Sequence, residues 1–273
     1  MDQFPRSSTV PTQSPIFWVG QKDRYLRQLL IRDIETLTGR RLLVYYANRF
    51  LGAEINQRDR DYFVELFGDV NGEACDLFIE TSGGDTDATE GLIHLIQDLA
   101  PDLRVIVPNA AKSNGTLLSL AAREIVMGPS SELGPIEPSL AGIPSSVLME
   151  PQMAQQNFAL HKLGMFAYEH SKQIAYRLLS SGMMESRTPE EVKAVVDQRA
   201  GRETYKSHGS AINHREAQNI GLRIRYLPDG DEVWSRIWLL YCMYDFDSHR
   251  TGLQKIYEGR SRSTQVAAPP ADP

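Results

Sequence analysis

The apolar positions of this chain follow two spacings, and the switches between them outline a fold. Tyr25, Leu26, Leu29, Leu30, Ile34 and Leu37 recur at helical intervals. They predict a helix over 22–38, with Asp23 capping its start and Gly39 ending it. Residues 42–47 are continuously apolar and read as a buried strand. Asn56 can cap a following helix in which Tyr62, Phe63, Leu66 and Phe67 share a face. Strands are then expected at 76–81, 103–108 and 124–128, separated by helices at 86–99 and 113–122. Ala88, Leu92, Leu95, Ile96 and Leu99 form the inner stripe of the first of these helices. Such alternation argues for an α/β fold, a mostly parallel sheet with right-handed βαβ crossovers.

The pattern changes after Pro151. Residues 152–181 read as a long helical stretch with Leu163, Ala167, Ile174 and Leu178 on its inner stripe, and 189–198 as a shorter helix. A brief helix at 214–219, a strand at 222–226 and a helix at 232–245 follow. The expectation is one domain over 16–259, with 152–200 as a helical arm. The proline-bearing lead 1–15 and the Pro/Ala/Ser-containing tail 260–273 are expected to be disordered.

In parallel sheets, ligands bind beyond the carboxyl ends of the strands. Two polar signals fall there. Ser82-Gly83-Gly84-Asp85 follows one strand, and Lys112-Ser113-Asn114-Gly115-Thr116 follows the next. A diglycine can expose backbone N–H groups to a developing oxyanion, and a serine can supply a nucleophile. Gly115 allows close packing below the serine, and the Asn114 N–H can be a second oxyanion donor. Each signal also has a plainer reading. The diglycine can be an ordinary strand-to-helix turn with Asp85 as cap, and Ser113 can itself be only a cap. The pairing of the two, one βα unit apart, favours acyl transfer.

These residues carry a family resemblance. Residues 76–140 resemble the serine dehydrogenase proteinase family, within the wider group of Clp-type and signal-peptide-peptidase-type serine peptidases. The matching pieces are the two signals above with Ala111, Glu124-Ile125-Val126-Met127-Gly128, and Ser131-Glu132-Leu133-Gly134-Pro135-Ile136-Glu137-Pro138. The Tyr45-Tyr46 strand and the Asp59 helix extend the likeness to about residue 30, and 208–228 resembles the closing segment more weakly. The resemblance implies a Clp/crotonase-like core, with Ser113 as nucleophile and the backbone of Gly84 and Asn114 as oxyanion donors. Asn114 departs from the small or apolar residue usual after the serine, which leaves its backbone N–H available.

The general base is open among four residues. Glu137 occupies the place of the Clp-type histidine and is either a base or a structural acceptor for backbone donors. Lys172 and Lys162 follow in the order of the signal-peptide-peptidase lysine, but a catalytic lysine must be desolvated, and Lys172 points away from the predicted stripe. His170 lies on that stripe, as a core histidine or a base. His208, in Ser207-His208-Gly209, falls where the family has a histidine-bearing segment. Lys112 reads as surface charge.

Composition narrows the classes. Apolar residues make up 41% and charged residues 23% of 273 residues, as in soluble globular proteins. The net charge of −6 gives no field favouring nucleic acid or an anionic membrane. Two cysteines, Cys75 and Cys242, suggest no disulfide framework and a reducing, cytoplasmic setting. No apolar run reaches the roughly 18–20 residues of a membrane span. Neither a dinucleotide fingerprint nor a phosphate loop is present, and the chemistry needs no metal or organic cofactor. The reading is a serine peptidase acting on a peptide or protein, and the resemblance implies a homo-oligomer assembled through the helical arm. Two alternatives accompany it: an inactive peptide- or partner-binding module of the same fold, and a crotonase-like enzyme acting on an acyl thioester.

Overall fold

Strands and helices alternate as expected through the first half of the chain, and a C-terminal hairpin extends the sheet beside its first strand. The computed structural model describes residues 15–68, 70, 72–140, 142–200, 205, 207 and 209–268. Helices α1 (Pro15–Gly20) and α2 (Lys22–Thr38) precede β1 (Arg41–Ala47), and α3 (Asp59–Phe67) precedes β2 (Cys75–Glu80). Next come α4 (Thr86–Leu99), β3 (Leu103–Val107), the two-residue β4 (Ala110–Ala111), α5 (Asn114–Ser119) and β5 (Glu124–Met127). Short strands β6 (Glu132–Leu133), β7 (Ser139–Leu140) and β8 (Ile143–Pro144) lead through α6 (Ser145–Leu148) to the arm. The arm comprises α7 (Pro151–Gln156), α8 (Phe158–Ser181) and α9 (Pro189–Ala200). Then follow α10 (His214–Asn219), β9 (Ile224–Tyr226), α11 (Glu232–Thr251), β10 (Leu253–Glu258) and β11 (Ser263–Ala267).

The main sheet runs in the order β11-β10-β1-β2-β3-β5-β9. Its strands β1, β2, β3, β5 and β9 are mutually parallel, while β10 and β11 add antiparallel at one side. Both faces are covered, which explains the continuously apolar strands. Leu43, Tyr45, Leu77 and Ile79 join one core with residues of α3, α4, α5, α8 and α9. Their neighbours Leu42, Val44, Tyr46 and Phe78 join a second core with α2 and α11. Rings such as Phe63, Phe67 and Phe78 are fully buried, each stabilising the fold by about 2–3 kcal/mol relative to exposure.

Three expectations need correction. The tail does not begin at 260: Ser263–Ala267 pairs with β10 as an edge strand, while 1–14 and 269–273 lie outside the described residues. The long arm helix is broken at Asn157, whose side chain caps α8 by accepting the Leu160 N–H at 3.0 Å. The inner stripe of α8 is also shifted. Gly164, Ser171, Ile174, Ala175, Leu178 and Leu179 are buried, whereas Leu163 and Phe166 are exposed. Gly164 is on the inner face because Leu148 of α6 packs where a side chain would stand.

The added hairpin carries charges into the interior. Arg27 of α2 meets Glu258 of β10 at 2.7 Å and also pairs with Asp247 of α11. The Tyr244 hydroxyl donates to Glu258 at 2.8 Å. Lys255 of β10 pairs with Asp59 of α3 at 2.6 Å. Each of these buried charges therefore has an opposite partner, without which its burial would be strongly unfavourable.

Candidate active site

Ser113 stands between β4 and α5 with φ 50° and ψ −119°. Among the described residues it alone has a positive φ without being glycine. Such a conformation costs about 1–3 kcal/mol and persists only where its surroundings over-determine it. Here the surroundings are hydrogen bonds. Before the serine, the Lys112 N–H donates to the Thr81 carbonyl at 3.0 Å, so β4 continues alongside the end of β2. After it, Gly115 N–H donates to Lys112 O at 2.7 Å and Leu117 N–H to Ser113 O at 3.1 Å. The Thr116 hydroxyl contacts the Ala111 and Gly134 carbonyls at 2.7 and 3.0 Å, and it lies 2.9 Å from the Gly134 N–H as acceptor.

Glycines allow this closeness. A side chain at Gly83 would come within 2.8 Å of the Ser113 Cβ and 3.0 Å of the Asn114 nitrogen. One at Gly115 would come within 2.5 Å of the Thr81 methyl, and one at Gly134 within 3.2 Å of the Ser113 nitrogen. Gly84, at φ +148°, has the Ile55 backbone where a side chain would lie. The diglycine and the serine turn are thus in van der Waals contact. The Asn114 amide side chain ties them further, donating to Gly84 O at 2.5 Å and Thr86 Oγ1 at 3.1 Å.

Two peptide N–H groups are left unengaged by this arrangement. The Gly83 N–H is used locally by Thr81 Oγ1 at 3.1 Å. The Gly84 and Asn114 N–H groups have no hydrogen-bond acceptor among the described residues. The Ser113 hydroxyl makes no capping bond to α5, so the plainer reading of this serine as a helix cap does not hold. Asp85 does cap α4, accepting the Ala88 N–H at 2.6 Å. A buried serine with an uncommitted hydroxyl, on a strained strand-to-helix turn beside two uncommitted amide donors, matches the nucleophile and oxyanion donors of an acyl-transfer site but not its base.

The three base candidates among the described residues, Glu137, Lys172 and His170, stand apart from one another. Glu137 is buried, and its Oε1 accepts the Ser146 N–H at 2.9 Å, the structural role weighed for it. Lys172 bridges α8 and α9 through Asp197 at 2.7 Å. Partial burial would lower its pKa, but the hydrogen bond and charge of Asp197 outweigh that and hold it above the ordinary lysine range. This is opposite to what a catalytic lysine needs. His170 is half-exposed rather than in a core; its Nε2 lies 3.0 Å from Glu90 Oε2 and its Nδ1 3.7 Å from Asp87. It shares with Gly84, Asp85, Pro138, Leu140, Leu163 and Phe166 an open cleft of about 460 Å³. Lys162 lies over the Phe158 ring. None of these side chains bonds to the Ser113 hydroxyl. His208 lies outside the described residues. The chain just beyond it is fixed beside the serine turn, because Ser210 O accepts from Lys112 Nζ at 3.2 Å and Ile212 pairs with Leu133.

Lys112 itself is not surface charge. It is largely buried, held by Glu132 at 2.9 Å as well as by Ser210. Sequence reasoning also passed over Glu80, at the end of β2. Burial pushes its carboxyl up to about 7, against the opposing effects of the Ala110 N–H and Arg49. Its Oε2 accepts the Ala110 N–H at 2.8 Å, three residues before Ser113. The available signal was a carboxylate closing the apolar run Leu77-Phe78-Ile79. Among the described residues no cluster of His, Cys, Asp or Glu is arranged to hold a metal ion.

Comparison with known proteins gives this geometry a context. The family model described as ClpP-like SDH-type serine proteinase matches residues 69–241, more than half the chain. Two proteins of Methanocaldococcus jannaschii, uncharacterized proteins MJ0137 and MJ1495, are 30% identical over 156 residues and 27% identical over 127 residues. These matches cover 55% and 44% of this chain; the chain spans about half the length of the curated relatives it matches, 52% and 44%. Among solved structures, ClpP1 from Listeria monocytogenes is 17% identical, with a TM-score of 0.43 over 73% of this chain and 98% of that one. A mutant of the 1510-N membrane-bound stomatin-specific protease is 18% identical, with a TM-score of 0.42 over 67% and 79%.

Proposed function

We propose, for a chain that belongs to the ClpP-like SDH-type serine proteinase family, that it hydrolyses peptide bonds through an acyl-enzyme on Ser113. The Ser113 hydroxyl attacks the peptide carbonyl, and the Gly84 and Asn114 N–H groups receive the oxyanion. The leaving amine takes the proton that the base removed from the serine, and water then releases the acyl group. The observation that carries this reading is the uncommitted Ser113 hydroxyl, held on a strained turn beside two uncommitted peptide donors.

His208 is the base in this proposal. Lys172 keeps its proton through Asp197, Glu137 is engaged by Ser146, and His170 is engaged by Glu90. Ser210 follows His208 by two residues, a reach of about 7 Å, and its carbonyl is bonded to Lys112, the neighbour of the serine. Peptide or protein substrate enters by the cleft at Gly84. Subunits assemble through the arm, where Phe158, Leu163 and Phe166 are exposed; light scattering on the purified protein should give a mass that is a multiple of 30.7 kDa.

A fluorophosphonate probe tests the nucleophile. Wild type is expected to be labelled at Ser113 with loss of any peptidase activity, and Ser113→Ala to be neither labelled nor active. Full activity in Ser113→Ala refutes the mechanism. The second reading, a peptide-binding module that does not cut, is motivated by the absence of a described basic side chain at the Ser113 hydroxyl. It predicts an unlabelled wild-type protein that still binds peptide.

A further inference from the structure

Asp59 is buried at the start of α3, and four donors converge on its carboxylate. Lys255 Nζ at 2.6 Å and the Tyr257 hydroxyl at 2.5 Å meet Oδ1. The Tyr45 hydroxyl and the Asn56 N–H, both at 3.0 Å, meet Oδ2. Three donors are side chains of the adjacent strands β1 and β10. The fourth is backbone, and it connects Asp59 to the candidate site.

Asn56 follows Ile55. The Ile55 N–H donates to Gly83 O at 2.7 Å, and Ile55 O accepts the Asp85 N–H at 2.9 Å. These two bonds bracket Gly84 as an isolated parallel bridge. In such a bridge the bracketed residue turns its own N–H and C=O to the other side. The Gly84 carbonyl indeed meets Asn114 there, and the Gly84 N–H is left unengaged. The absent side chain of Gly84 is what allows the Ile55 backbone to lie against it. Residues 53–56 therefore act as a template for the diglycine, with Ser82 Oγ also donating to Ala53 O at 3.3 Å. Asp59 fixes the end of that template.

We infer that Asp59 is a positioning residue for the oxyanion site. Through Asn56 and Ile55 it sets the direction of the Gly84 N–H, and Lys255 and Tyr257 hold it from the last strands of the chain. The inference rests on the proposed role of Gly84. It gives the C-terminal hairpin a part in the chemistry that no residue near Ser113 reveals.

The test follows one amide. Gly83-Gly84 is the single glycine pair in the chain, so labelling glycine with carbonyl ¹³C and ¹⁵N identifies the Gly84 amide by NMR without further assignment. Tyr257→Phe removes one of the four donors, and Asp59→Asn is the more severe variant. Tyr244→Phe is the control: it removes a buried hydroxyl that donates to Glu258 in the other core, remote from the bridge. The expected result is a displaced Gly84 resonance in Tyr257→Phe and not in Tyr244→Phe. Fluorophosphonate labelling of Ser113 should slow about tenfold in Tyr257→Phe, a fraction of the hundredfold or more that follows loss of a whole donor. In Tyr244→Phe it should stay at the wild-type rate despite a lowered melting temperature. A Gly84 resonance unmoved in Tyr257→Phe overturns the inference, and so does a moved resonance with an unchanged labelling rate. If wild type is not labelled at all, the peptidase reading fails while the Gly84 resonance still decides the role of Asp59.

Discussion

Replacing Glu80 by glutamine should change how stability depends on pH. Glu80 is nearly inaccessible to solvent, and burial raises its carboxyl from 4.5 to about 7. A folded-state pKa above the unfolded one means that the native protein favours the protonated acid. The contribution is thus fully present below about pH 4.5 and is lost as pH rises through about 7. The shift corresponds to about 3 kcal/mol, a large part of the stability of an ordinary domain. Glutamine keeps the shape and an acceptor for the Ala110 N–H but cannot ionise. Urea unfolding of both proteins at pH 5.0, 6.0, 7.0 and 8.0 gives the difference directly, and other titrating groups cancel to first order. Between pH 5.0 and 8.0, wild type should lose about 2.5 kcal/mol relative to Glu80→Gln, the rest having gone below pH 5.0. Two parallel stability curves would refute the reasoning, and would mean that Arg49, at 3.1 Å, compensates the charge in full.

Gly84→Ala forces the Ile55 backbone away; labelling of Ser113 should fall at least a hundredfold, the scale of one lost oxyanion donor, as measured by the second-order rate constant with a fluorophosphonate. Lys172→Met removes an ion pair with Asp197 that is partly open to solvent and should cost less than about 1 kcal/mol, with the labelling rate unchanged. His208→Gln should abolish labelling with the melting temperature retained, and the opposite pattern in these two variants would return the base to the lysine.

Much of the frame around the candidate site was legible because local signals agreed. Helix α4 has the expected bounds, since the Asp85 cap and the Ala88, Leu92, Ile96 stripe point to the same start and face. Ser113 and Gly84 could be paired from their places after successive parallel strands. The hairpin was not legible. Lys255 and Glu258 give β10 two charges among only three apolar residues, Leu253, Ile256 and Tyr257, and they are neutralised by Asp59 and Arg27, 196 and 231 positions away. Nothing local marks a charge whose partner is so distant. The stripe of α8 was misread for a related reason. Leu163 and Phe166 are as apolar as the buried positions but face the cleft, and periodicity does not distinguish a core from an open apolar wall. The break at Asn157 rests on a cap that a run of good helix formers obscures.

The conformation of Ser113 also bears on how such a chain evolves. A glycine would adopt that backbone at little expense, so selection for foldedness alone drives position 113 toward glycine. A serine persists there against that drift only while its hydroxyl is being used. The surrounding bonds from Thr116 and the close approach of Gly134 would lose their purpose together with the serine. In a lineage released from the chemistry, these positions should decay as a group, before the core around them does.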